Sequence, residues 1–165
     1  MKKYLIFSSP VGDLRLLASP IGLVGVYFPA HKHLEWDPAW QHAPQEAVLL
    51  RAAEQLQEYF AGKRRDFDVP LDCAHGTNFQ QEVWRALQTI PYGETCSYSA
   101  LAQKIARPKA IRALGAANGR NPLSIIVPCH RVIAANGELQ GYAGGLENKR
   151  YLLDFERLQQ AKLNA

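Results

Sequence analysis

Ser97-Tyr98-Ser99-Ala100-Leu101-Ala102-Gln103-Lys104-Ile105-Ala106-Arg107-Pro108-Lys109-Ala110-Ile111-Arg112-Ala113-Leu114-Gly115-Ala116-Ala117-Asn118-Gly119 sets the architecture of the second half of the chain. A helix can start near Ser97 and carry Leu101, Ala102 and Ile105 on one face. Arg107-Pro108 breaks it, and a further helix runs from Pro108 or Lys109 to Ala117, before Asn118-Gly119. Two short helices joined by a tight turn form a helix-turn-helix, in which one helix braces and the other enters a groove. The charge pattern points the same way. Between Glu94 and Glu138 there is no acidic residue, while Lys104, Arg107, Lys109, Arg112, Arg120 and Arg131 hold six of the 19 Lys and Arg, leaving 13 against 15 acidic residues elsewhere. The positive field therefore belongs to one segment, as a polyanion partner would require. On charge alone, a solvated basic surface explains the run equally well.

Moving toward the N-terminus, Thr77-Asn78-Phe79-Gln80 fits a capping box, and Phe79, Val83, Trp84, Leu87 and Ile90 mark one face of the helix behind it, stopped by Pro91-Tyr92-Gly93. Asp72-Cys73-Ala74-His75-Gly76 reads as a linker. Before it, short β-like runs at residues 4–7, 14–18 and 23–28 alternate with Ser-Pro and Gly turn signals, an antiparallel meander. Apolar residues recur at helical spacing over residues 46–60, with Gly62 as the stop, and residues 63–71 could add a strand. The chain of 165 residues, 47% hydrophobic, can bury a large core. The reading is an α/β (α+β) protein of two domains: residues 1–72, a linker at 73–76, and residues 77–165. The apolar stretch behind Lys2-Lys3 is too short for a signal segment or a membrane span, so a cytoplasmic protein without a membrane partner is expected.

Toward the C-terminus, Leu123-Ser124-Ile125-Ile126-Val127 is mostly apolar, and Pro128 biases Val127 toward an extended backbone. Cys129 then stands where a buried segment ends. Most cysteines so placed are inert core residues. Here His130 and Arg131 follow directly, offering a base and a cation to a thiol that reacts as its thiolate. In an extended chain consecutive side chains point to opposite faces, so a water bridging Cys129 and His130 is an easier geometry than direct contact. Glu156, on the inward stripe of a final helix over residues 146–163 with Leu152 and Leu153, is the candidate to orient the imidazole. An acid at the edge of an amphipathic helix fits its position equally well.

Pro128-Cys129-His130-Arg131-Val132 resembles the active-site signature of the O6-alkylguanine-DNA alkyltransferases, the methylated-DNA–protein-cysteine methyltransferases. Thr89-Ile90-Pro91-Tyr92-Gly93, Ser97-Tyr98, residues 113–119, Asn121-Pro122, Gly141-Tyr142-Ala143-Gly144-Gly145, Lys149-Arg150 and Leu152-Leu153 fall in family order and spacing. The resemblance implies a ribonuclease H-like N-terminal domain and a mostly helical, winged helix-turn-helix-like C-terminal domain. It implies that Cys129 accepts the alkyl group irreversibly, once per molecule, that His130 deprotonates it through a water, that Glu156 holds His130, and that Tyr98 donates to the leaving guanine oxygen. Arg112 would fill the base stack in place of a flipped nucleotide, with Lys109, Arg120, Ser97 and Ala113 also facing DNA. Asn121 would brace the active-site turn, and Val132, Tyr142, Ala143 and Gly144 would line the base pocket.

The partner implied is duplex DNA containing O6-alkylguanine, bound by a monomer. Activity on O4-alkylthymine, alkyl-size preference and cooperative assembly on DNA are left open. The rival readings are a noncatalytic lesion-binding protein, a helix-turn-helix regulator and a Cys-His hydrolase. No cofactor is expected. Cys73, His75, His31 and His33 match no strong zinc spacing, so no metal is assigned, and Cys73 and Cys96 are read as noncatalytic thiols.

Overall fold

The structure, a computed structural model, describes residues 2–163. It is α+β, with an N-terminal sheet unit and a helical C-terminal unit. The first comprises residues 2–75 together with Pro122–Ile126, the second Gly76–Asn121 with residues 127–163. The division falls between His75 and Gly76, within the stretch read as a linker, but a short later segment returns to the first unit. Val26 N donates to Pro122 O at 2.8 Å, and Val26 and Leu123 form an isolated parallel bridge.

In the first unit β1 (Lys3–Ser9), β2 (Gly12–Ala18) and β3 (Leu23–Tyr27) form the meander. Ser9 pairs with Gly12 across a two-residue turn, and the φ of +101° at Gly12 is one that favours glycine. β4 (Gln41–His42) adds to the outer edge of β1, giving the order β3-β2-β1-β4, and runs parallel to it. Two residues leave no periodicity to read, so this strand was invisible in the sequence. α1 (Ala47–Phe60) lies across β1, β2 and β3 and buries Leu49, Ala52, Gln55, Leu56 and Tyr59. Its N-terminus is capped by the Glu46 carboxylate, which accepts from Leu49 N at 2.9 Å, and Gly62 follows its end at φ +75°.

Residues 63–71, read as a possible strand, do not form one. Leu71 makes only an isolated bridge to Leu23. Pro70 has no N–H to give a ladder. The Asp68 N–H is taken by Gln55 Oε1 at 3.1 Å, while Gln55 Nε2 donates back to the Asp68 carboxylate, so side chains replace a strand partner.

The second unit begins with α2 (Asn78–Leu87), whose capping box is complete: Gln80 N donates to Thr77 Oγ1 at 3.1 Å and Thr77 N to Gln80 Oε1 at 3.0 Å. β5 (Cys96–Ser97) leads into α3 (Tyr98–Lys104), capped by Ser97 Oγ, which accepts from Ala100 N at 3.0 Å. α4 (Ile111–Gly119) follows after a six-residue connection and has no side-chain cap. Lys109 therefore precedes α4. The three helices pack on one another through Val83, Trp84, Leu87, Leu101, Ala102, Leu114 and Ala117, and Trp84 Nε1 donates to Ala117 O at 2.9 Å. β6 (Val132–Ile133) pairs parallel with β5, and α5 (Leu146–Leu163) closes the unit, over the range read from the sequence.

The backbone before Cys129 departs from the extended reading. Residues 123–127 are buried but turn, and Ile125 takes φ +73°, uncommon for a β-branched residue. Pro128 (φ −81°, ψ 63°) sits in an inverse γ-turn closed by Cys129 N on Val127 O at 2.8 Å. Cys129–Arg131 then form a single 3-10 turn, closed by Val132 N on Cys129 O. Among the described residues no helix is long and apolar enough to cross a membrane.

Candidate active site

Cys129 is 4% exposed. Burial pushes its thiol above the ordinary value, and four features work against that: the Asn121 side chain, the positive charge of Lys149, a backbone hydrogen bond and the Tyr142 hydroxyl. Asn121 is itself buried and donates through Nδ2 to Val127 O at 2.9 Å, fixing the residue two before the thiol.

In a 3-10 turn successive side chains project about 120° apart. His130 and Arg131 consequently leave Cys129 and meet Glu156. His130 Nε2 lies 2.8 Å from Glu156 Oε2, while Arg131 donates from Nε to Oε1 at 2.8 Å and from Nη2 to Oε2 at 3.1 Å. Arg131 Nη1 also donates to Ile90 O at 2.7 Å. Burial alone would raise the Glu156 carboxyl, but His130 and Arg131 hold it well below the carboxylate range. A carboxylate only accepts, so the imidazole proton sits on Nε2 and Nδ1 is left with a lone pair. Nδ1 is buried and has no hydrogen-bond partner among the described residues. No direct hydrogen bond joins Cys129 to His130.

Two aspects of the sequence reading change here. Arg131, read as a cation beside the thiol, is committed to Glu156. The cation whose field reaches Cys129 is Lys149, fully buried on α5, with Nζ donating to Gln140 O at 2.9 Å. The signal for Lys149 was a lysine four residues after Gly145 and three before the buried Leu152, on the inward stripe of α5.

Tyr98 stands half-buried at the start of α3, its phenol pushed up by burial and by Cys129, and its hydroxyl donates to the same Gln140 carbonyl at 3.5 Å. Tyr142, Ala143 and Gly144 are half-buried in the loop before α5, where Gly145 N donates to Tyr142 O and Asn148 Nδ2 to Gly144 O at 2.7 Å. Val132 is fully buried.

Of the six basic residues in the acid-free segment, Arg131 is buried, Arg107 is paired with Glu82 at 3.1 Å and Lys104 donates from Nζ to Thr89 Oγ1 at 3.2 Å. Lys109, Arg112 and Arg120 are exposed and make no ion pair among the described residues, and Ala113 is exposed beside Arg112 in the first turn of α4. Ser97 is half-buried, with its hydroxyl already engaged as the α3 cap. His31, His33, Cys73 and His75 build no metal cluster: among the described residues no three His, Cys, Asp or Glu side chains converge.

Fold and site together define a two-unit α+β protein with a buried thiol followed by a Glu-held histidine. Residues 2–73 match the family model described as 6-O-methylguanine DNA methyltransferase, ribonuclease-like domain, and residues 78–158 the one described as 6-O-methylguanine DNA methyltransferase, DNA binding domain. The chain belongs to this family. It is 49% identical to the methylated-DNA–protein-cysteine methyltransferase of Methanosarcina acetivorans over 93% of this chain and 97% of that one. It is 43% identical to the constitutive enzyme of Bacillus subtilis, over 96% and 97%. Among solved structures, Mycobacterium tuberculosis OGT in complex with DNA aligns with TM-score 0.89 at 46% identity, covering 95% of this chain and 94% of that one.

Proposed function

We propose that this protein repairs DNA by direct reversal, taking the alkyl group from O6 of guanine onto Cys129. The observation that carries the reading is the buried Glu156–His130 pair on the turn that bears Cys129. His130 Nδ1 is the lone pair available to take the thiol proton, through a water. The thiolate attacks the alkyl carbon, the carbon–O6 bond breaks with its electrons on oxygen, and Tyr98 supplies a proton to that oxygen. The product is a thioether with no acyl group for water to attack. One turnover per molecule follows.

A thiol 4% exposed cannot reach a stacked base, so the nucleotide must leave the helix, at a cost of a few kcal/mol. Arg112, exposed on α4, fills the gap it leaves, while Lys109 and Arg120 contact the backbone with Ser97 and Ala113 alongside. Val132, Tyr142, Ala143 and Gly144 line the pocket and Asn121 braces its floor. O4-alkylthymine is a second substrate to be measured beside it.

Incubation with a duplex carrying radiolabelled O6-methylguanine tests the proposal. Label should pass to the wild type and not to Cys129→Ala. Tight binding without labelling of the wild type would favour a noncatalytic lesion reader instead.

A further inference from the structure

Lysine is among the residue types least often fully buried, yet Lys149 has no exposed surface. A buried ammonium needs a counter-charge. The one hydrogen bond it makes among the described residues goes to a neutral acceptor, Gln140 O at 2.9 Å. Glu156, the buried carboxylate on the same helix, is taken by His130 and Arg131. What remains is the field between Lys149 and Cys129, which acts on both groups.

The acceptor has a second meaning. Gln140 O also receives the Tyr98 hydroxyl, so one carbonyl collects a donor from α5 and a donor from α3. We propose that Lys149 is a positioning residue for the reaction, whose buried ammonium anchors the loop at Gln140 beside Tyr98 and supplies the positive charge that stabilises the Cys129 thiolate. The proposal rests on Cys129 being the nucleophile.

The groups around the thiol divide cleanly. Tyr98 from α3 is pushed up and neutral at physiological pH. Asn121 and Tyr142 bring dipoles, and Arg131 and Glu156 satisfy each other with His130 on the same carboxylate. Lys149 is the remaining charge, lowered by burial to about 8 against the pull of Cys129. Thiolate formation should therefore rise with pH and lose its support as Lys149 deprotonates.

The test uses a Cys73→Ser/Cys96→Ser background, so that iodoacetamide reports on Cys129 alone, without DNA. Lys149→Met should raise the pH midpoint of carboxamidomethylation by about one unit or more, a tenfold loss of thiolate at neutral pH, and slow methyl transfer in proportion. Lys149→Gln, which keeps a donor for Gln140 but no charge, should shift the midpoint similarly. Wild-type midpoints in either folded variant would overturn the proposal. A measurement on the background protein covers the case in which neither variant folds. Lysines labelled biosynthetically with 13C at Cε are titrated by NMR before and after Cys129 is capped: the Lys149 midpoint should fall on capping, and an unmoved one would overturn the proposal. If the wild type takes no methyl group from the lesion yet the midpoints still shift, the reading of the reaction fails while the Lys149–Cys129 coupling stands.

Discussion

Glu156 joins a guanidinium and an imidazole inside the protein, and the energetics of such a group depend on what is left behind when it changes. Glu156→Gln would leave the Arg131 guanidinium, 6% exposed, without its counter-charge. Breaking a buried pair in this way costs about 3–5 kcal/mol. Thermal or urea unfolding should show that loss, and Glu156→Gln/Arg131→Met should recover part of it; a loss below about 1 kcal/mol for the single variant contradicts a buried ion pair. Tyr98→Phe removes only a hydroxyl whose resting contact is a 3.5 Å bond. It should slow transfer at least tenfold with DNA affinity nearly unchanged, and a matching loss of binding would refute the donor role. At this scale the sequence could pair Glu156 with His130, which the structure brings within 2.8 Å, because helical spacing puts Glu156 on the inward stripe of α5. It misassigned Arg131 because the direction of a side chain depends on whether the backbone is extended or turned.

The connection between α3 and α4 carries its own test. α3 ends in a Schellman arrangement, with Arg107 N on Ala102 O at 2.9 Å and Ala106 N on Gln103 O at 3.0 Å. The left-handed position is Ala106, φ 59°, where glycine is usual. Ala106→Gly relieves about 1–2 kcal/mol of backbone cost against about 0.4–1 kcal/mol of added unfolded-state entropy. A modest net stabilisation should appear in urea unfolding, and destabilisation would contradict the left-handed turn. On α4, Arg112→Ala should impair repair in duplex DNA far more than reaction with free O6-benzylguanine; equal losses would count against base extrusion. α1 and α5, with steady apolar stripes, were legible to within a residue or two, and α2 from its capping box, although it ends at Leu87, three residues before Ile90. β4 and the chain at residues 63–71 were not, because pairing between distant segments and the Gln55–Asp68 exchange decide them, and neither leaves a periodic mark.

Across the molecule, acid sensitivity should come from both units. His31, in the first, is buried and lowered to about 4 from an ordinary 6.5, by burial and then by His33. Its folded value lies below its unfolded one, so its contribution is fully present above pH 6.5 and is lost as pH falls toward 4. The loss reaches about 3 kcal/mol. Glu156, in the second, is also held low, so its contribution is present above its ordinary 4.5 and fades under stronger acid. Unfolding free energy should fall in two stages, and His31→Phe should flatten the first; an unchanged slope between pH 6.5 and 4 would contradict the buried neutral imidazole. The return of Pro122–Ile126 to the first unit was not legible in the sequence, since a backbone bond from Val26 N to Pro122 O has no side-chain signature.

The central claim is that Cys129 is consumed by the reaction it performs. The direct measurement is methyl transfer with the O6-methylguanine duplex in large excess, followed to completion and read by intact and peptide mass. The account predicts a plateau at one methyl group per protein molecule, carried by the peptide that contains Cys129, with no further lesion repaired. Continued repair beyond that plateau, or a methyl group on Cys73 or Cys96 with Cys129 unmodified, would contradict it.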